Sequence, residues 1–148
     1  QSTFISSTFW TERIGPTAAL ATLDVMSRTE SWSQITKTGE AITQRWHDLA
    51  KQHDLKITTG GLPSLTNFTF ELPNALAYKT LITQEMLNQG FLASNSVYVC
   101  TEHTQEVVDE YFSLLNPIFH TIKQCEDGKD VMSLLHGPVC DSGFKRLN

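Results

Sequence analysis

The chain has 148 residues, 16 acidic against 11 basic, a formal charge of −5 and a pI near 5.4. That length suits one domain with a real core. With 40% apolar and 18% charged residues, the composition is that of a globular protein, not a disordered polymer. The acidic balance argues against binding a nucleic-acid backbone, because no lysine/arginine cluster could neutralise successive phosphates. No apolar run reaches the ~18 residues of a transmembrane helix.

The start, Gln1-Ser2-Thr3-Phe4, has no basic region followed by an apolar stretch, so no secretory signal is expected. It does not begin with methionine, which points to a removed leader or to a piece of something longer. Gly15-Pro16 punctuates the chain, with Pro16 suited to a helix's first turn. Residues 17–27, rich in alanine and leucine, predict a buried helix. Residues 33–53 predict an amphipathic helix with Ile35, Ile42, Trp46 and Leu49 on one stripe. Gly39 lies inside it and weakens it by ~1 kcal/mol relative to alanine.

Strand signals follow. Leu55 and Ile57 lead to Gly60-Gly61-Leu62-Pro63, read as a turn, and Asn67 to Leu72 alternates polar and apolar with period two. Pro73-Asn74 starts a helix of about residues 74–89 that Gly90 closes. Val97-Tyr98-Val99-Cys100 predicts a third strand. Thr104 caps a long helix whose first turns carry Glu106, Asp109 and Glu110, the right sign for a helix N-terminus. Its stripe is Val108, Tyr111, Leu115, Ile118, Phe119 and Ile122, and Pro117 is expected to kink or break it. A short helical turn, Val131 to Leu135, is followed by irregular chain, so residues 130–148 read as a tail. The whole, residues 1–148, reads as a single α+β domain: a small, mostly antiparallel sheet with helices on one face.

Three cysteines, Cys100, Cys125 and Cys140, are an odd number without framework spacing, which favours a reducing cytosol over a disulfide scaffold. Cys100-x-x-His103 superficially suggests a metal site, but His120 and Cys125 do not repeat its spacing, so no metal is expected. Cys100 reads as a thiol packed in an apolar strand, and His103, before the Thr104 cap, as a surface or capping-region residue. Gly60-Gly61 has neither phosphate-loop context nor a GK[ST] ending. Residues 6–16 are rich in hydroxyls and aromatics and lead into a helix. Such a segment could hold a phosphate on hydroxyls and backbone N–H groups, or simply form a serine/threonine turn.

The run Phe4-Ile5-Ser6-Ser7-Thr8-Phe9-Trp10-Thr11-Glu12-Arg13-Ile14-Gly15-Pro16-Thr17-Ala18-Ala19-Leu20-Ala21-Thr22-Leu23 resembles the segment that follows the cofactor lysine in class III pyridoxal-phosphate-dependent aminotransferases, glutamate-1-semialdehyde aminomutase-like members above all. His103-Thr104-Gln105-Glu106-Val107-Val108-Asp109 resembles the start of the family's terminal helix. The resemblance covers most of the chain as the C-terminal small domain of a fold-type I enzyme. It implies that Ser7 and Thr8 contact the cofactor phosphate of a neighbouring subunit, with residues 1–16 as the phosphate-contacting segment. Charge-assisted hydrogen bonds to a dianion suit those hydroxyls.

The family's Schiff-base lysine lies N-terminal to this segment. No lysine precedes Lys37, so the resemblance implies a fragment of a cytoplasmic homodimeric enzyme, inactive by itself. It further implies a small-molecule amino donor and a keto or aldehyde acceptor, with no nucleic-acid or membrane partner. The arginine that many members carry before the last helix is missing from Val97-Tyr98-Val99-Cys100. Where the aminomutase pattern has a glutamate, an ungapped count places Asn95, which reads as a substrate-side residue or as a turn residue. The reaction expected for the parent is amino transfer, with glutamate-1-semialdehyde aminomutation as the alternative. A non-catalytic α+β binding or interaction module is the reading from a different class.

Overall fold

The structure, a computed structural model, describes residues 12–143. Ser7 and Thr8 lie outside the described residues. The chain divides into two compact units, Gln1–Ser33 and Gln34–Asn148.

In the first unit, helix α1 (Ile14–Thr29) opens where the Glu12 carboxylate accepts from the N–H of Ile14 and, at 2.9 Å, from that of Gly15. Pro16 falls in the first turn, where its missing N–H leaves no gap in the ladder. The helix ends at Glu30, whose left-handed backbone (φ 49°) turns its N–H to the carbonyl of Met26. The expected burial is corrected here: no residue of α1 is buried, and Ile14, Leu20 and Leu23 are all exposed. Alanine-rich sequence favours the helix, but its larger apolar residues spread around it and do not form a stripe.

The second unit is built on amphipathic periodicity. Helix α2 (Ser31–Gln52) buries Ile42, Trp46 and Leu49, with Ile35 half-buried beside them. Strands β1 (Ile57–Leu62), β2 (Leu65–Phe70) and β3 (Ser96–Tyr98) make an antiparallel sheet in the order β1-β2-β3. Helix α3 (Ala75–Asn88) connects β2 to β3, helix α4 (Gln105–Glu126) follows β3, and a 3-10 turn (Val131–Leu134) begins the tail. This is the expected α+β architecture.

Period-two burial on β2 sets the layers. Thr66, Phe68 and Phe70 face the core, while Leu65, Asn67 and Thr69 face away. Phe68 is the hub, its ring centroid 4.8 Å from Trp46 of α2, 5.6 Å from Phe70 and 5.9 Å from Phe119 of α4. Two polar tips are buried with their rings and both are bonded. Trp46 Nε1–H donates to Tyr111 Oη at 3.0 Å, and the Tyr78 hydroxyl donates to the Glu126 carboxylate. Burial, with the Glu126 contact, pushes the Tyr78 phenol up to about 12, and burial pushes that of Tyr111 higher still.

Three details depart from the sequence expectations. The hairpin turn is Pro63-Ser64, not Gly60-Gly61, because both glycines pair within β1, opposite Asn67 and Thr66. Gly61 has φ 86°, and a Cβ there would sit 2.2 Å from the Leu65 carbonyl oxygen, so the strand accepts only glycine at that point. Helix α4 runs through Pro117 without breaking in two. Pro117 is exposed while Leu115, Ile118 and Phe119 beside it are buried, so tertiary packing holds the helix across the missing donor. Gly39 also has a role that propensity alone does not show. A Cβ there would lie 1.8 Å from the Pro63 carbonyl oxygen, so glycine lets α2 approach the hairpin turn.

Candidate functional site

The side of the sheet turned away from the core is open, with Leu62, Leu65 and Tyr98 exposed on it. Strand register sorts it into rows. Leu62, Leu65 and Tyr98 are aligned across the three strands, and Gly60, Asn67 and Ser96 form the next row. Leu62 and Tyr98 are 69% and 75% exposed, so this row is an open apolar strip and not a second core. Leu92, 95% exposed, sits in the loop that leads to β3.

Asn95 closes that loop onto the sheet. Its carbonyl accepts the Phe68 N–H at 2.9 Å, and its side-chain Nδ2 donates to the Phe68 carbonyl at 2.8 Å. Its Oδ1 accepts from the Ser94 hydroxyl at 3.3 Å, and that hydroxyl in turn accepts from Thr83 of α3 at 3.2 Å. The amide therefore prolongs the β2–β3 ladder by one residue and ties the loop to α3. Behind the loop is a cavity of about 290 Å³ lined by Phe91, Ala93, Val97, His103, Val107 and Tyr111, among others.

The turn from β3 into α4 is built on a hydrogen-bonded pair. His103 Nδ1 accepts the Cys100 N–H at 3.0 Å and lies 3.2 Å from the Cys100 sulfur. Cys100 is exposed and lies beyond the end of β3, which corrects its reading as a packed strand residue. The strand stops two residues short of it because the turn takes over its N–H. His103 is the capping-region residue its position suggests. Thr104 then caps α4, its hydroxyl accepting the Val107 N–H at 3.4 Å. Glu106, bonded first to backbone N–H and then to Thr104, has its carboxyl held below the usual range. Asp109 is likewise lowered, first by hydrogen bonding to Arg45 and then to Gln105.

Elsewhere the titratable groups with shifted values serve the fold. Asp127 and then Asp54 raise the Lys123 ammonium, and burial raises the Cys125 thiol. His120 pairs with Gln124, away from Cys100 and His103. Among the described residues no cluster of three His, Cys, Asp or Glu side chains is placed to hold a metal ion. No helix among them is long and apolar enough to cross a membrane. The N–H groups of Ile14 and Gly15 at the start of α1 are occupied by Glu12, and Ser7 and Thr8, the phosphate-contacting pair of the resemblance, lie outside the described residues.

No protein-family model matches the chain. A curated protein, the 2'-deamino-2'-hydroxyneamine transaminase of Streptomyces kanamyceticus, is 26% identical over 118 residues, covering 76% of this chain and 30% of that protein. Among solved structures, the PLP internal aldimine form of the FumI protein of Sphingopyxis sp. MTA144 superposes with a TM-score of 0.72 at 16% identity. That match covers 90% of this chain and 33% of the other, and at such low identity the likeness is one of fold. The chain thus spans about a third of the length of each protein it matches.

Proposed function

We propose that the chain is the C-terminal portion of a pyridoxal-phosphate-dependent aminotransferase, a soluble homodimer that moves an amino group from a small donor to a keto or aldehyde acceptor. The observation that carries this reading is the joint likeness: nearly the whole chain takes the fold of part of a PLP-bearing protein, and its sequence resembles a transaminase.

The residues present fit one end of the cofactor only. Ser7 and Thr8 offer two hydroxyl donors to a phosphate dianion. The other end is not served by this chain: no lysine precedes Lys37, and among the described residues no lysine is buried. When bound, the cofactor acts as electron sink for the bond that is broken at the amino-bearing carbon. The chain's own part is to bind and to shape. Ser7 and Thr8 fix the phosphate of the partner subunit's cofactor. The loop 91–95 and strand β3 form a wall of the substrate cleft, with the exposed Leu92 and Tyr98 as its apolar members. Asn95 enters substrate binding through that loop, which its bonds to Phe68 hold in place. A neutral amide there, where the aminomutase-like pattern has a carboxylate, leaves no charge to retain an ammonium-bearing intermediate. This favours release of the first product and hence intermolecular transfer.

The test is complementation between subunits of the full-length enzyme. Thr8→Val weakens cofactor retention by about 1–3 kcal/mol, the scale of a hydrogen bond to a charged group. Mixed with subunits that lack the Schiff-base lysine, it regains activity, because the lysine-bearing site then faces a wild-type Thr8. Activity no higher than in either parent variant would refute the assignment across the interface.

A further inference from the structure

We propose that the groove between α3, α4 and the tail binds a small zwitterionic amphiphile, an α-amino acid with an apolar side chain. This inference does not depend on the aminotransferase reading. The groove encloses about 420 Å³, within the range of small-molecule sites. Leu81, Leu114, Ile118 and Leu134 make its apolar walls, and Glu85 and Lys129 are charged members of the same lining.

The two charges are left for a ligand. Among the described residues neither Glu85 nor Lys129 forms an ion pair, with the other or with anything else. Glu85 accepts one hydrogen bond, from Gln84 at 2.7 Å, and Lys129 reaches only the Gln124 amide oxygen at 3.4 Å. Lys123, on the same helix end, is by contrast paired with two carboxylates at 3.3 and 3.1 Å. A ligand that carries both an ammonium and a carboxylate offers Glu85 and Lys129 a partner of opposite charge each, and its apolar side chain suits the leucine and isoleucine walls.

The third wall is fixed in place. The N–H of Gly128 (φ 115°) returns to the Cys125 carbonyl at 3.1 Å, and that of Lys129 to the Gln124 carbonyl at 3.0 Å, a double closure of the α4 C-terminus. Asp130 caps the 3-10 turn through the Met132 N–H at 2.9 Å. Gln84 of α3 clamps the tail at both its amide atoms, donating to the Leu134 carbonyl at 3.0 Å and accepting the His136 N–H at 2.7 Å. The groove is thus set before any ligand arrives, which lowers the ordering cost of binding.

The experiment is an amide NMR titration of the 148-residue chain with L-leucine, and separately with 4-methylpentanoate and 3-methylbutylamine, which each keep one of its charges. The expected result is saturable shifts for L-leucine at Glu85, Gln89, Thr121, Lys129 and Leu134, with each half-ligand at least tenfold weaker. Lys129→Met and Glu85→Gln each weaken L-leucine at least tenfold. Thr121→Trp, which fills the groove from its rim, abolishes the shifts while the remaining spectrum stays folded. No saturable shift with L-leucine, or equal affinity for a half-ligand, overturns the proposal, and neither outcome depends on a variant folding.

Discussion

Helices α1 and α4 are both unbroken and both rich in apolar residues, yet they are used in opposite ways. In α4 the apolar residues recur at helical spacing, and Val108, Tyr111, Phe112, Leu115, Ile118, Phe119, Ile122 and Cys125 are all buried. In α1 the apolar residues include many alanines and no single stripe, and none is buried. Apolar content makes a helix; apolar phase decides whether it enters a core. The same contrast divides the chemistry. The second unit is a closed aromatic core with every buried side-chain polar atom among the described residues bonded. The first carries exposed apolar side chains along α1, Ile14, Leu20 and Leu23 among them.

The largest test of that contrast is a matched pair of truncations. Trp46→Ala should cost about 3–5 kcal/mol, since it empties a fully buried site and leaves the Tyr111 hydroxyl without its donor. Leu23→Ala in α1, at a residue 61% exposed, should stay within about 0.5 kcal/mol. Urea denaturation of both variants measures the difference, and equal losses would erase the distinction between the helices.

Next come the two helical glycines. Gly39→Ala should cost about 1–3 kcal/mol, because its methyl meets the Pro63 backbone and not a yielding side chain. Gly15→Ala in α1 meets only the tip of the Glu12 carboxylate at 3.2 Å, and should be neutral or gain up to ~1 kcal/mol from helix propensity. Thermal melts should therefore show a lower midpoint for Gly39→Ala and an unchanged or higher one for Gly15→Ala.

Asn95→Asp probes the loop at a similar or smaller scale. It replaces the Nδ2–H donor to the Phe68 carbonyl by a second acceptor, for a loss of about 1–3 kcal/mol. Faster hydrogen exchange at the Phe68 amide would mark the opened β2–β3 pairing, whereas unchanged exchange would show that the backbone alone holds the loop.

The smallest effect is electrostatic. The Asp109 carboxyl lies below its ordinary value, so its contribution is fully present above the usual carboxylate range, ~pH 4, and is lost as pH falls through the lowered folded value. Asp109→Asn should flatten that acid limb of a stability–pH profile by lowering its neutral end slightly and leaving the most acid end unchanged, and the loss is small because the pair with Arg45 is exposed and screened.

What can be read from the sequence is what periodicity encodes. The stripes of α2 and α4, the alternation along β2 and the Thr104 cap all appear in the chain order with their burial attached. Positions decided by a distant partner do not. Gly39 looks like a weak point until Pro63 is placed against it, and Gly60-Gly61 looks like a turn until β2 pairs across it. Pro117 looks like a breakpoint until Leu115 before it and Ile118 and Phe119 after it are seen buried in the core. The site divides likewise. Asn95 is picked out by the resemblance, through an ungapped count to the family's glutamate position, but its bond to Phe68 spans 27 positions and no local pattern announces it. Cys100 reads as core because it follows three apolar or aromatic residues. It is the His103 ring that takes its N–H and ends the strand. Ser7 and Thr8 rest on resemblance and lie outside the described residues.

The central claim, that this chain completes a cofactor site whose lysine it does not itself carry, is tested most directly by covalent mapping. The protein extended upstream of Gln1 is loaded with pyridoxal phosphate and reduced with borohydride, and the labelled peptide is identified by mass spectrometry. One stoichiometrically labelled lysine is expected, N-terminal to Gln1, and none within residues 1–148. Stoichiometric labelling of a single lysine within residues 1–148 would contradict the claim.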